Sequence, residues 1–362
     1  MLENSKRPLF WLGHGIRLAG AVDLIEPFLD RFKVPVITSW QGKDMLRHDH
    51  PRFYGHAGVY GHPVANKLVQ NADLIIAIGT RLALPQTGYN LNKFAPNAHL
   101  IMVDIDAAEL EKIGKGTGIN RDAKEFMLSM MKTQAPYMET EWEYPYLVKS
   151  EYPSCSKSYL NPYWFMEELN KWLKPDHIIV TDMGTALLTA YPLLNLNGKQ
   201  RLITSTGLGE MGFGLPAAVG ASIAIGKGEV LCLNCDGGMM FNLQELATIK
   251  HHKLPIKIIV FCNNGYRMIS HTQDTLGMNR TASSSSDLSF PNWHDLAKSF
   301  GIEWHLIEHQ QQFNSVIPYM QNFNGPMLVE VIIDPDQKFG PKLSPVINTD
   351  GSIYSPGLEE IQ

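Results

Sequence analysis

Two patterns alternate along the chain. Short, mostly apolar runs occupy 8–12, 34–38, 73–79 and 100–106, and each ends on or is followed by glycine, threonine or an acid. Between them lie stretches with apolar residues at helical spacing, 21–32, 62–72 and 107–112. Strand-length runs alternating with amphipathic helices predict a parallel, doubly wound sheet over residues 1–135. The pattern dissolves over 136–160, a polar and aromatic stretch too long for a turn inside one domain, which predicts a linker. It restarts at Asn161-Pro162, an N-cap followed by proline in the first helical position, which opens a helix over 163–173. Apolar runs at 177–180, 229–233, 256–261, 302–307 and 327–333 then alternate with helical patterns, and residues 336–362 form a tail without periodicity. The fold class expected is α/β, with two doubly wound parallel-sheet domains at 1–135 and 161–335.

The stretch with the most chemistry runs from Cys232 to Tyr266. One strand ends on Cys235-Asp236-Gly237-Gly238-Met239, a helix follows with Leu243, Leu246, Ala247 and Ile249 on one face, and the next strand ends on Asn263-Asn264-Gly265. Neighbouring parallel strands would bring Asp236 and Asn263 together at their carboxyl ends, where open α/β sheets bind ligands. One carboxylate, one amide oxygen and a loop carbonyl make a hard, oxygen-only site of low charge. That suits Mg²⁺, whose coordination is completed by water and phosphate oxygens. The glycines let backbone N–H groups approach a phosphate, and a helix N-terminus favours the same anion.

These residues resemble the thiamin diphosphate motif of the acetolactate synthase-like enzymes. The resemblance rests on Asp236-Gly237-Gly238, the paired asparagines 27 positions after Asp236, the Leu243–Thr248 segment and Asn264-Gly265-Tyr266. It implies thiamin diphosphate and Mg²⁺ as cofactors, with Asp236, Asn263 and Gly265 as metal ligands. Thr185, Gly237, Gly238, Met239 and Met268 would then contact the cofactor. Met211, 25 positions before Asp236 in the run Thr206–Gly220, matches the bulky residue that wedges under the thiazolium. Three positions depart from the family: Cys235 stands where glycine is usual, Ala186 where acetolactate synthases often have histidine, and Thr272 where they have the tryptophan that selects the 2-ketoacid acceptor. The run around Thr272 and Ser289–Trp293 looks more like relatives found beside surface-polysaccharide genes, which makes a sugar a candidate acceptor. His271 is either a local proton donor or a surface histidine, and 281–287 is expected to form a flexible loop.

Residues 1–135 resemble the central domain of the same family, which holds the ADP half of FAD in some members and nothing in others. Gly13, Gly79, Thr80, Arg81 and Asp104 match its adenine-nucleotide contacts. Gly13-His14-Gly15 alone is only a fragment of a dinucleotide fingerprint, so FAD binding and an empty structural domain both stay open. The family's aminopyrimidine-binding domain, with the glutamate that activates the cofactor, matches nothing in 1–362, and no catalytic residue is assigned. The expected function is a carboligase or decarboxylase acting on a 2-ketoacid such as pyruvate and a carbonyl acceptor. It would work as a homo-oligomer or with a partner supplying that domain. The alternatives are an inactive remnant or nucleotide-binding subunit, and a plain nucleotide-dependent oxidoreductase, which the Asp236–Asn263 spacing disfavours.

Composition narrows the partners. A net charge of −5 at pH 7 gives no electrostatic basis for binding nucleic acid or an anionic membrane. No apolar run approaches the roughly 20 residues of a membrane span, and Met1–Pro8 has no signal-peptide core, so the cytoplasm is expected. The four cysteines (155, 232, 235 and 262) read as free thiols. Cys232 and Cys235 are three apart in a strand, hence on opposite faces, and no second pair is present to complete a zinc site.

Overall fold

The computed structural model describes residues 1–112, 114–133, 142 and 152–361. They form two α/β units. The first comprises the described residues up to 142 together with 196–198 and 340–361, and the second comprises 152–195 and 199–339.

The first unit is built on six parallel strands: β1 (Pro8–Leu12), β2 (Val36–Thr38), β3 (Phe53–His56), β4 (Leu74–Ile78), β5 (His99–Asp104) and β6 (Thr117–Asn120). They lie in the order β3-β2-β1-β4-β5-β6, so the winding reverses between β1 and β4. Alternation along the two central strands assigns the side chains to layers. Phe10, Leu12, Ile76 and Ile78 pack with Phe28 and Phe32 of helix Ile25–Phe32 on one face. Leu9, Trp11, Ile75 and Ala77 pack with Leu68 and Val69 of helix Pro63–Asn71 on the other. Each fully buried aliphatic or aromatic side chain contributes about 1.5–3 kcal/mol, so the central strands carry most of the unit's stability.

The second unit repeats the plan with β7 (Ile178–Thr181), β8 (Arg201–Ile203), β9 (Val230–Cys235), β10 (Ile256–Cys262), β11 (Glu303–Ile307) and β12 (Met327–Ile332). The order is β11-β12-β10-β9-β7-β8, all parallel, with the reversal between β7 and β9. All seven residues of β10 are buried, as a strand covered on both faces requires. Helix Gly214–Ala224 buries Leu215, Ala218 and Val219 against β7 and β9, its small residues allowing close approach.

The residues after 335, which show no periodicity, divide between the units. Gln337 accepts a hydrogen bond at its carbonyl from Arg267 Nε (2.8 Å) in the second unit. Leu343 and Leu358 are buried in the core of the first, and the Leu358 carbonyl accepts from Asn66 Nδ2 at 2.9 Å. The hairpin of β13 (Val346–Ile347) and β14 (Ile353–Tyr354) lies exposed between those anchors. Of the segment expected to be a linker, only 142 and 152–160 fall among the described residues.

Candidate functional site

The reversal of winding in the second unit leaves a crevice at the carboxyl ends of β7, β9 and β10. β7 runs through Asp182-Met183-Gly184 into helix Thr185–Leu193. β9 delivers Asp236 into the single helical turn Asp236–Met239, and β10 ends on Asn263-Asn264-Gly265 ahead of helix Arg267–Thr275. These loops enclose a cavity of about 370 Å³. Of the residues predicted from sequence, Thr185, Met211, Gly237, Gly238, Asn263, Gly265 and Met268 line it, joined by Met183, Gly184, Gly209, Cys235 and Tyr266 among others. Met239 does not; its side chain is buried in the core beneath.

Asp236 is fully buried and does not itself line this cavity, though its neighbours Cys235 and Gly237 do. Its Oδ2 accepts the backbone N–H of Asn263 (2.9 Å) and of Asn264 (2.7 Å), and Oδ1 accepts that of Gly237 (2.8 Å). The acid after β9 thereby clamps the loop after β10. Burial pushes its carboxyl up to about 7, against the pull of the backbone N–H groups around it. Two polar atoms beside it have no protein partner: Asn263 Oδ1 and Thr185 Oγ1, in residues only 6% and 2% exposed. An unsatisfied buried acceptor or donor costs about 1–3 kcal/mol, and such groups persist where something else answers them. Among the described residues no three His, Cys, Asp or Glu side chains converge, so a cation held here relies on one carboxylate with amide and carbonyl oxygens.

The glycines of the motif are required by the protein's own packing. A Cβ on Gly237 would run into the Tyr266 ring, and one on Gly238 would lie 2.8 Å from Asn234 Oδ1 and 3.0 Å from Asp182 Cγ. Gly184, at φ +99°, turns β7 into the helix where other residues would be strained.

Asp182 was not among the residues singled out from sequence. It is fully buried and accepts N–H bonds from Gly212 at both carboxylate oxygens (3.1 and 2.9 Å) and from Gly214 at 3.1 Å. Burial raises its carboxyl above the ordinary range, and the N–H groups of Gly214, Met183 and Gly212 oppose that. It fastens the loop that presents Met211. The available signal is an acid directly after an apolar strand, the same placement as Asp236 after β9.

Thr272 and His271 lie on helix Arg267–Thr275. The Thr272 hydroxyl donates to the Met268 carbonyl one turn earlier (3.0 Å), and the His271 ring packs 5.8 Å from that of Phe339. The loop 281–287 closes back on the site, its Ser283 carbonyl accepting the Tyr266 N–H at 3.0 Å. All four cysteines are free; Cys232 is buried in the core while Cys235 faces the cavity.

The nucleotide-contact candidates of the first unit are otherwise engaged. Gly13 and Gly79 pack backbone to backbone, so that a Cβ on Gly13 would overlap the Gly79 carbonyl. Thr80 accepts from Gln86 Nε2 at 2.9 Å, Arg81 Nε donates to Glu109 at 2.9 Å, and Asp104 Oδ1 accepts the Asp106 N–H at 2.9 Å. No buried polar side-chain atom among the five lacks a partner. In this structure the five residues are held by contacts within their own unit.

Comparison with known proteins agrees with this division. Residues 1–130 match the thiamine pyrophosphate enzyme central domain and residues 182–331 the C-terminal TPP-binding domain. The chain is 33% identical over 366 residues to the acetolactate synthase isozyme 2 large subunit of Escherichia coli (strain K12), covering 100% of this chain and 65% of that one. It is 32% identical to the acetolactate synthase large subunit of Porphyra purpurea, covering 95% of this chain and 60% of that one. The chain thus spans less than two thirds of these relatives' length. Among solved structures, a thiamine diphosphate-dependent 4-hydroxybenzoylformate decarboxylase from Rhodococcus jostii RHA1 superposes with a TM-score of 0.78 at 22% identity, over 93% of this chain and 63% of that one; this speaks to the fold. Among the described residues no helix is long and apolar enough to cross a membrane. With the two matches together spanning most of its length, the chain belongs to the thiamine pyrophosphate enzyme family, of which it carries the central and C-terminal domains.

Proposed function

We propose that the second unit binds the diphosphate end of thiamin diphosphate through Mg²⁺, as part of an acetolactate synthase-type carboligase or decarboxylase. The observation that carries this is the pair of buried, unpartnered atoms, Asn263 Oδ1 and Thr185 Oγ1, in residues that line one cavity, with the buried Asp236 carboxylate bound to the Asn263 backbone. A hard cation answers the first and a phosphate oxygen the second. In this arrangement Asp236, Asn263 and the Gly265 carbonyl hold Mg²⁺, and ionised Asp236 supplies the charge that balances it. Thr185 donates its hydroxyl to the diphosphate, while the backbone of Gly237, Gly238 and Met239 lies against the same group. Met211 and Met268 supply an apolar wall that shapes the cofactor and excludes water.

When bound, thiamin diphosphate supplies the electron sink for loss of carbon dioxide from a 2-ketoacid and for passing the remaining carbon unit to a carbonyl acceptor. The chain's own residues bind and orient; the carboxylate that handles the aminopyrimidine is contributed from outside residues 1–362, by another segment or subunit. Pyruvate is the simplest 2-ketoacid for the site, and Thr272 in place of a tryptophan leaves a sugar carbonyl as a candidate acceptor.

The test is calorimetric titration of the chain with thiamin diphosphate in the presence and absence of Mg²⁺. Binding should require the metal and fall below detection in Asp236→Ala. Equal affinity in that variant would overturn the assignment.

A further inference from the structure

The Cys235 side chain, which lines the cavity, lies on a donor that an anion would use. Its Sγ accepts the backbone N–H of Ala186 at 3.4 Å, the second residue of the nine-residue helix Thr185–Leu193, and it rests against Gly184, whose added Cβ would be 3.2 Å away. A free N–H at a helix N-terminus is a ready anion donor. Beside it stands the Thr185 hydroxyl, buried and unpartnered in the same cavity. The thiol is a poor substitute for what the position favours, because sulfur is a weak acceptor. With glycine at 235 the Ala186 amide would be open to a ligand.

Resting on the diphosphate-binding role proposed above, we infer that Cys235 occupies part of the diphosphate subsite, so that a bound diphosphate and the contact of Sγ with the Ala186 N–H exclude one another. A diphosphate entering the cavity must move Sγ off the Ala186 N–H before it can take that donor. The side chain therefore weakens anion binding and acts as a gate on loading.

Two measurements on the full chain test this, using inorganic pyrophosphate with Mg²⁺ as the probe. In calorimetry, Cys235→Gly should bind it about three- to tenfold more tightly than the wild type, the equivalent of one modest hydrogen bond no longer displaced. Cys235→Ala should show a gain of the same sign. In parallel, Cys235→Val, whose side chain still fills the space against the Ala186 N–H, should show no such gain. Unchanged affinity in both of the first two variants, or a gain in Cys235→Val equal to that in Cys235→Gly, overturns the inference. If pyrophosphate affinity changes as expected across the variants but thiamin diphosphate does not bind, the gate stands and the cofactor assignment fails. If neither binds, both fall.

Discussion

The two units place glycine-rich loops at equivalent points, the carboxyl ends of the strands on either side of the reversal in winding, and make opposite use of them. In the first unit, the Gly13 N–H donates to Ile78 and the Gly15 N–H to Gly79, both at 2.9 Å, so the two loops close on each other. In the second, Gly184, Gly237, Gly238 and Gly265 pack against side chains and backbone beneath them and leave a cavity of about 370 Å³ above. Among the candidate residues the units also differ in polar satisfaction, although Thr38 Oγ1, at the end of β2 in the first unit, is likewise buried without a partner. The first unit's five candidate residues have their buried side-chain atoms partnered, whereas the second keeps Asn263 Oδ1 and Thr185 Oγ1 without protein partners. A glycine at a strand end therefore marks a close backbone approach, and only the unanswered polar atoms beside it mark a site for something else.

The sharpest way to break this contrast is Gly13→Ala. If Gly13 serves packing alone, its new Cβ must displace the Gly79 backbone, and β1 and β4 should loosen by about 4 kcal/mol or more. Hydrogen exchange of peptides from those strands would report it, with pyrophosphate affinity of the second unit unchanged. Unaltered protection in β1 would mean that the loops have room to part.

The next largest effect is expected at Asp182, the anchor of the open site. Asp182→Ala strips the Gly212 and Gly214 N–H groups of their acceptor and should cost about 2–4 kcal/mol. It should also weaken thiamin diphosphate binding more than pyrophosphate binding, because the loop it fastens carries Met211. Equal losses for both ligands would place its influence on the phosphate end instead.

What could be recognised from sequence follows the same line between local and distant cause. The central strands announce themselves because both faces are buried, giving apolar runs such as 74–78 and 258–261. The edge strands β3, β6 and β8 do not: Thr117–Asn120 is largely exposed and polar, and Arg201–Ile203 is only three residues long. Asp236 and Asn263 were legible because each directly follows a strand. Asp182's partners lie 30 and 32 residues further on, and Cys235's contact with Ala186 spans 49, and no periodicity encodes such pairings. Leu343 and Leu358, single apolar residues in an aperiodic tail, find their core only in three dimensions.

A smaller, pH-dependent effect is expected at a buried charge of the first unit. Lys43 is buried in the first unit, and burial pushes its amine down to about 7. Below about pH 7 it is protonated in both folded and unfolded states, and the burial penalty is fully in force. Between about 7 and its ordinary value of 10.5 only the unfolded chain keeps the proton, so stability should rise with pH across that window. Lys43→Met should flatten this rise, read as the midpoint of thermal unfolding. Mg²⁺ with pyrophosphate should leave that difference in place, since Lys43 belongs to the sealed unit. A wild-type midpoint that does not climb between pH 7 and 10 would show the amine to be charged throughout.

The smallest effect is expected where the sealed unit looks most like a nucleotide site. The Arg81 side chain is 72% exposed and is held by Glu109, which Lys112 also contacts. Because the pair meets water on the arginine side, Arg81→Ala should change stability by less than about 1 kcal/mol. Glu109→Gln is the more informative variant, since it frees the guanidinium for another anion without emptying the volume. If Glu109 were the only bar to an adenine nucleotide, this variant should acquire affinity for FAD, visible as quenching of flavin fluorescence on mixing. The expected result is no quenching, because the phosphate-facing backbone of such a site would have to come from Gly13 and Gly15, whose N–H groups are already given to Ile78 and Gly79. Quenching would mean that those bonds yield to a ligand, and that the two strand-end loops differ in occupancy and not in construction.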